Sequence, residues 1–475
     1  MVEIQHVEID IHVPAGVSDE RNNGKDVAAD EVQNLMKKLD QVPGEPFKPR
    51  PVTISRVPAW FYEINKDLSE PKIVSIGPYH HGKESVRAME EKKWSTLRDF
   101  LARQKDVRIE VYLREMRLLE AQARECYSET VSLESKDYVM MLLLDGCFIL
   151  EFLLKLKKKD LLGIFSLNWA VNCLSSDLCL LENQIPFFVI HKLFEIQNGC
   201  ACGQTFQDPC SLLNLIYEVM PWPAKALQFR QPKISSNQVQ HLLHLYYKGV
   251  LPDNLEGEQR DMDTGKSCLP WFKIFSRSSS TISQKSIVDI ESSSIVLIPC
   301  ATELHEAGVK FRKKKSARDM FDISFQDGKM EMPNIQIDNI LKNYLWNMVV
   351  FEQSQRFELG QILSSYVALM DGLINTEKDV AILERSNIIS NFLKNDEQAA
   401  TFFNHFSESF FGLDYSNHYF RRVFKNVKEY SESKLHKHRA KLMRDYFSSP
   451  WSIISVVAAT ILLILTVLQT YYSAK

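Results

Sequence analysis

The recognised signatures of catalysis are missing from this sequence. It has no glycine-rich phosphate loop, no Gly-x-Ser-x-Gly elbow, no His-Glu-x-x-His pair and no protein-kinase string. The common nucleotide hydrolases, serine hydrolases, zinc peptidases and kinases are therefore excluded as readings, although a convergent site would leave no such trace. An excess of one charge is missing too. Lys and Arg number 57 against 60 Asp and Glu, and the resulting −3 argues against a general nucleic-acid binder, which is usually basic over a whole face. Residues 1–14 carry Glu3, Glu8 and Asp10 among alternating Val and Ile, with neither a basic leader nor a continuous apolar run, so no signal peptide is expected. Asn-x-Ser/Thr acceptors do not occur anywhere, which is mild evidence against a lumenal life. The nine cysteines are odd in number and scattered, and they read as reduced thiols rather than a disulfide framework.

Charge is absent altogether from one stretch near the C-terminus, Pro450 to Leu468. A hydrocarbon core of roughly 30 Å needs about 20 apolar residues at a rise of about 1.5 Å each, and Trp451 to Tyr471 supplies that length. Its Ile, Leu and Val side chains, at about −0.3 to −0.6 kcal/mol apiece, outweigh the cost of Ser452, Ser455, Thr460 and Thr466. Ser449 and Pro450 suit a helix start, and Trp451 and Tyr471-Tyr472 suit headgroup depth at the two ends. A transmembrane helix over 450–472 is predicted. Lys434, His436, Lys437, His438, Arg439, Lys441 and Arg444 precede it and Lys475 follows, so the positive-inside rule predicts a cytosolic body at the plasma membrane or an endomembrane.

The rest of the chain reads as two stretches. Residues 1–50, with the polar run Ser18 to Asp30 and the proline-rich 43–51, form a variable tail expected to be largely disordered. Residues 51–446 form a helical domain, in which the Ser-rich 253–294 is the expected loop or insertion. Met89, Leu97, Leu101, Val111, Leu118 and Leu119 line one face of a helix or helix pair starting near Ser85. Tyr138 to Leu156 and Trp169 to Phe194 are apolar enough to imitate membrane spans. However, Asp145 and Glu151 in the first, and Asp177, Glu182 and Pro186 in the second, make them core helices instead.

Ile295 to Ile298 and Val309 to Phe311 are short strand-like runs, and Ile323 to Met332 alternates around Asp327-Gly328, a tight-hairpin signal. Helical spacing returns in Tyr344 to Phe351, Ile362 to Leu373, Val380 to Phe392, Ala399 to Phe411 and a last basic helix from Tyr419 to Tyr446. The expected fold is mainly α: a large multi-helix domain with a small β-hairpin element and a C-terminal transmembrane helix.

Six strings taken in order carry a resemblance. They are Pro71 to Gly82 (PKIVSIGPYHHG), Met89 to Trp94 (MEEKKW), Leu144 to Leu150 (LDGCFIL), Asp177 to Phe188 (DLCLLENQIPFF), Ala301 to Phe311 (ATELHEAGVKF) and Met370 to Val380 (MDGLINTEKDV). In order and spacing they resemble the plant "domain of unknown function 247" family, from about Val52 to the C-terminus. The resemblance implies a land-plant protein with a large helical domain and a membrane anchor. Some members of that family are linked genetically to self-incompatibility and sex determination, which implies recognition or signalling. The family brings no catalytic residue set. This chain departs from its pattern at Cys300, commonly Ser, and at Asn387, commonly Gly.

Read on their own chemistry, Glu182, Asn183 and Gln184 lie between apolar runs just before Pro186, where they can bond backbone groups freed by a helix break. The functional alternative pairs Glu182 with Asp145 or His80 as general acid and base. The turn Gly77 to Gly82 could display His80 and His81 to a metal or phosphate, or simply dock Tyr79 and one His on the core. Cys200, Cys202, Cys210 and His191 are of zinc-ligand type, yet their spacing is that of free thiols on a loop. The run Arg312 to Lys315, with Arg318, reads as a solvated turn before a polyanion patch.

The first expectation is a non-enzymatic, single-pass membrane protein that binds a protein partner, with no cofactor, no metal and no nucleic acid. Its basic juxtamembrane helix offers contact to anionic lipid. The alternatives are an enzyme using Glu182, Asp145, His80 and His81, and a lipid-binding module in which Tyr138 to Phe194 encloses an acyl chain.

Overall fold

The computed structural model describes residues 52–159, 167–199, 210–220, 230–252, 298–355, 361–407, 419–446 and 450–474, with a few isolated positions besides. Nearly all of the expected tail, the Ser-rich 253–294 and the Cys200/Cys202 pair lie outside the described residues.

The first half is arranged around one helix. Helices α1 (Ala59–Ile64), α2 (Arg87–Arg103) and α3 (Ile109–Glu125) precede α4 (Ser135–Lys158). Then come α5 (Asn168–Asp177), α6 (Phe187–Asn198), α7 (Leu212–Val219) and α8 (Leu242–Val250). The α4 helix packs against α2, α3, α6 and α7, so residues from Tyr138 to Leu153 are buried around most of its circumference. A helix apolar on all sides needs such a sheath, and each fully buried Leu or Phe contributes about 1.5–3 kcal/mol. Gly146 permits the closest approach: a Cβ there would lie 2.3 Å from Leu193 Cδ1 of α6. Of the two charges on α4, Glu151 takes a bidentate Arg103 at 2.7 and 2.6 Å and Asp145 meets Lys93 Nζ at 2.6 Å. The stretch from Trp169 to Phe194 is two helices. Between them, residues 178–186 leave helical geometry ahead of Pro186, the residue before α6.

The second half begins with α9 (Ala301–Ala307) and β1 (Lys310–Lys313). A hairpin of β2 (Ser324–Gln326) and β3 (Lys329–Met332) turns at Asp327 and Gly328, with φ of 48° and 70°. Both central residues have positive φ, as a two-residue primed turn requires. The strand order is β1-β3-β2, with β1 parallel and β2 antiparallel to β3. Next come β4 (Ile335–Ile337), α10 (Asn339–Ser354), α11 (Ile362–Leu373) and α12 (Glu377–Arg385). They are followed by β5 (Ile389–Asn391), which pairs with β4 in parallel, and α13 (Asp396–Ser407).

Three sequence expectations change here. Val380 to Phe392 is not one helix: α12 ends at Arg385, Asn387 takes φ 56°, and the chain reverses into β5. Periodicity missed this because the strand is only three residues long. The basic C-terminal helix is two, α14 (Arg421–Glu432) and α15 (Lys434–Tyr446), divided where Ser433 adopts ψ 145°. The run from Arg312 is strand rather than solvated turn at Arg312 and Lys313, and Lys314 is held by Asp322 at 2.7 Å.

Last is α16 (Pro450–Ser473). Its Ile454–Ser473 portion is long and apolar enough to cross a membrane, and none of it is buried against the body.

Candidate functional site

After bends at Lys72 and Ile73, the segment Val74 to Gly77 is buried and belongs to no helix or strand. Its amide hydrogens and carbonyls still need partners, since an unpaired buried peptide group is costly. Side chains supply them. The Asp177 carboxylate accepts the N–H groups of Lys72, Ile73 and Val74 at 3.0, 2.7 and 3.0 Å. Asn183 accepts from Ile76 N–H at 2.6 Å while its amide donates to Val74 O and Asp177 O at 3.0 and 2.9 Å. Asp145 accepts from Gly77 N–H at 2.8 Å, and Lys93 Nζ donates to Ser75 O at 2.6 Å. Gly77 has φ 77°, and a Cβ there would lie 2.3 Å from Gln184 O. A glycine is required on both counts.

The same economy holds around the 178–186 turn. Gln184 donates to Leu178 O and Leu180 O, both at 2.8 Å, and its backbone oxygen accepts from Tyr127 OH at 3.0 Å. Asn347 of α10 accepts from Leu181 N–H at 3.0 Å and donates to Leu68 O at 2.8 Å. In the second half, Asp379 accepts from Thr302 N–H and hydroxyl, both at 2.7 Å, and caps its own helix through Thr376. Thus the 301–311 and 370–380 strings clasp one another, as the four earlier strings do. Lys93 is fully buried, yet Asp145 and Glu90 overcome the effect of burial and hold its ammonium above the ordinary range. Burial acts the other way on Asp145 and raises its carboxyl above the ordinary value, with Lys93 opposing the shift.

Glu182 is placed differently: buried itself, it lines a cleft of about 460 Å³ together with Arg56, Val57, Pro58, Ala59, Tyr62, Tyr79, His80, Lys83 and Glu129. Its carboxylate accepts Val57 N–H at 2.7 Å and Arg56 Nη1 at 2.9 Å. The Arg56 guanidinium also meets Glu129 at 3.1 Å and stacks on Tyr79, 3.9 Å from the ring centre. His80 Nε2 is 3.6 Å from Glu182 Oε2, too long for a hydrogen bond. Neither ring nitrogen has a hydrogen-bond partner among the described residues. Burial, with Lys83 and Arg56 adding repulsion, lowers the His80 pKa to about 3, so the imidazole is neutral at physiological pH and a weak base. His81, the next residue, is exposed.

Of the four residues considered for acid–base work, the structure brings only Glu182 and His80 together, and assigns Asp145 to Lys93 and Gly77. Arg56, Glu129 and Lys93 were missed, and no local pattern in the sequence marks them. Among the described residues no group of three His, Cys, Asp or Glu side chains is arranged for a metal ion. Cys126, Cys147, Cys173, Cys179, Cys210 and Cys300 carry free thiols.

The interlocked strings run through most of the chain, and so does a family likeness. Residues 54–465 match the model of DUF247, described as a plant protein of unknown function. The chain belongs to that family. UPF0481 protein At3g47200 of Arabidopsis thaliana is 30% identical over 425 residues, covering 88% of this chain and 85% of that protein. Putative UPF0481 protein At3g02645 of the same plant is 24% identical over 501 residues, covering 93% and 94%. No solved structure matches. The DUF247 strings supply the side-chain to backbone hydrogen bonds that clasp the fold.

Proposed function

We propose that this DUF247 chain is a single-pass membrane protein whose helical body faces the cytosol and binds a protein partner without catalysis. One contrast carries the reading. Asp145, Asp177 and Asp379 of the family strings are occupied with backbone amides and, at Asp145, the buried Lys93, whereas α16 leaves Leu463 68% exposed among other exposed apolar side chains. A helix of that length and polarity is satisfied in hydrocarbon. The basic residues of α15, immediately before it, support retention of the body on the cytosolic side. The recognition role rests on the family resemblance alone.

Because the chain has no acceptor sequon of its own, an Asn-x-Ser tail added after Lys475 reports topology directly. Glycosylation of that tail with protease-sensitive N-terminal epitopes in sealed microsomes supports the reading. A glycosylation-free, protease-shielded body contradicts it.

The enzyme reading has one observation in its favour, the unpartnered His80 beside Glu182 in the cleft. Substituting Glu182, Asp145, His80 and His81 by Ala or Asn, with folding monitored, separates the two: loss of biological activity in a folded His80 variant favours the enzyme. The acyl-cavity reading has less support, because α4 and α6 are in direct contact at Gly146 and Leu193.

A further inference from the structure

Helix α15 has three faces, and only one of them meets the body. His436 Nδ1 lies 2.8 Å from Ala307 O at the end of α9, and its ring stacks on Tyr430 at 3.8 Å. Arg439 lies over Gly308, where an added Cβ would come within 1.7 Å of its guanidinium. Ala440 and Met443, half-buried, continue that docked side. At about 100° per residue, Lys434, Lys437, Lys441 and Arg444 fall on a second stripe, all exposed. Leu435 and Leu442 fall on a third, and they are 82% and 49% exposed.

A helix with a cationic stripe beside a bare leucine stripe has the composition of one that lies in a membrane interface. Its position agrees. Between Tyr446 and Pro450 the chain reaches at most about 14 Å, so an α16 that spans a bilayer holds the end of α15 within that distance of the headgroups. The nearby strand β1, which follows Gly308, adds the exposed Lys310, Arg312 and Lys313, with Phe311 buried on its other face.

We infer that α15 is a membrane-surface helix for an anionic leaflet: Leu435 and Leu442 enter the acyl boundary while Lys434, Lys437, Lys441 and Arg444 contact lipid phosphates and carboxylates. The inference rests on α16 being a span. Because α15 is also docked on α9, it fixes the attitude of the body on the membrane. The anchor then acts as an oriented mount, not a loose tether.

The test uses the full chain in phosphatidylcholine vesicles with and without phosphatidylserine, with the photocrosslinker p-benzoylphenylalanine placed singly at Leu435, Leu442, Trp451 or Leu118. Lipid adducts are expected at 435, 442 and 451 but not at Leu118, which is 71% exposed on α3. At 435 and 442 the yield should rise with phosphatidylserine. It should fall about fivefold or more in a Lys434→Gln, Lys437→Gln, Lys441→Gln, Arg444→Gln variant, since each cation near an anionic surface is worth about that factor. Adducts at 451 with none at 435 and 442, or adducts there to protein instead of lipid, overturn the inference and leave the span standing. No lipid adduct at 451 removes the span itself.

Discussion

Helices α4 and α16 are both 24 residues long and both strongly apolar, yet one is sheathed by four neighbouring helices and the other is bare. What separates them is where charge sits. α4 carries Asp145 and Glu151 at its centre, and the fold delivers Lys93 and Arg103 to meet them. α16 carries no charge and has no protein around it. A buried ion pair is seldom a net source of stability, because removing two ions from water costs several kcal/mol each. Here the pair also marks a helix as belonging to the soluble core, since an unmatched Asp at the middle of a bilayer costs about 2.5–3.5 kcal/mol.

The largest way to break that comparison is to strip α4 of one partner. Lys93→Met leaves Asp145 buried and uncompensated, and it should destabilise the body by about 3–5 kcal/mol in denaturant titrations of the solubilised protein. Adding Asp145→Asn should recover part of the loss. If Lys93→Met unfolds at the wild-type midpoint, the pair does not hold α4 in place. The converse change puts charge in α16: Leu463→Arg should cost about 2.5–3.5 kcal/mol of insertion and sharply lower glycosylation of a C-terminal sequon tail. The unfolding midpoint of the body should stay where it was.

Acid sharpens the contrast, since it attacks the body alone. His241 Nδ1 accepts the His244 amide at 3.2 Å and Nε2 meets Thr53 O at 3.0 Å, a pattern only the neutral ring with its proton on Nε2 satisfies. Burial lowers the His241 pKa to about 3, and that of His80 to about 3 as well. Their folded values lie below the unfolded value of about 6.5, so the unfolded chain binds more protons between those limits. Stability is then unaffected above about pH 6.5 and falls below it by up to about 1.4 kcal/mol per pH unit per ring. Unfolding free energy that stays flat from pH 6.5 to 5 contradicts this.

The smallest effect concerns Cys300, the N-cap of α9, whose thiol is at best a weak acceptor for the Glu303 amide. Cys300→Ser should stabilise by about 0.5–1 kcal/mol, read as a raised melting temperature. A neutral result would mean the α9 terminus is satisfied in another way.

The two apolar helices were legible in the sequence because both length and charge placement are local. The 323–332 hairpin was legible through Asp327-Gly328 for the same reason. Asn387 illustrates the limit. Its backbone is left-handed and ends the helical turn, but spacing alone made it part of a helix. The candidate site was legible by residue type at Glu182 and His80. It was not legible in partnership: Asp177 reaches back to Val74 and Glu182 to Val57, over 103 and 125 residues, and no periodicity records contacts of that range.

The central claim, that α16 lies in a bilayer while α4 lies in a folded core, is tested most directly by alkaline carbonate extraction of microsomes carrying the full-length chain. The account predicts that the chain stays in the membrane pellet, and that Lys93→Met, however unfolded its body, stays there too. Release of the full-length chain into the supernatant would contradict it.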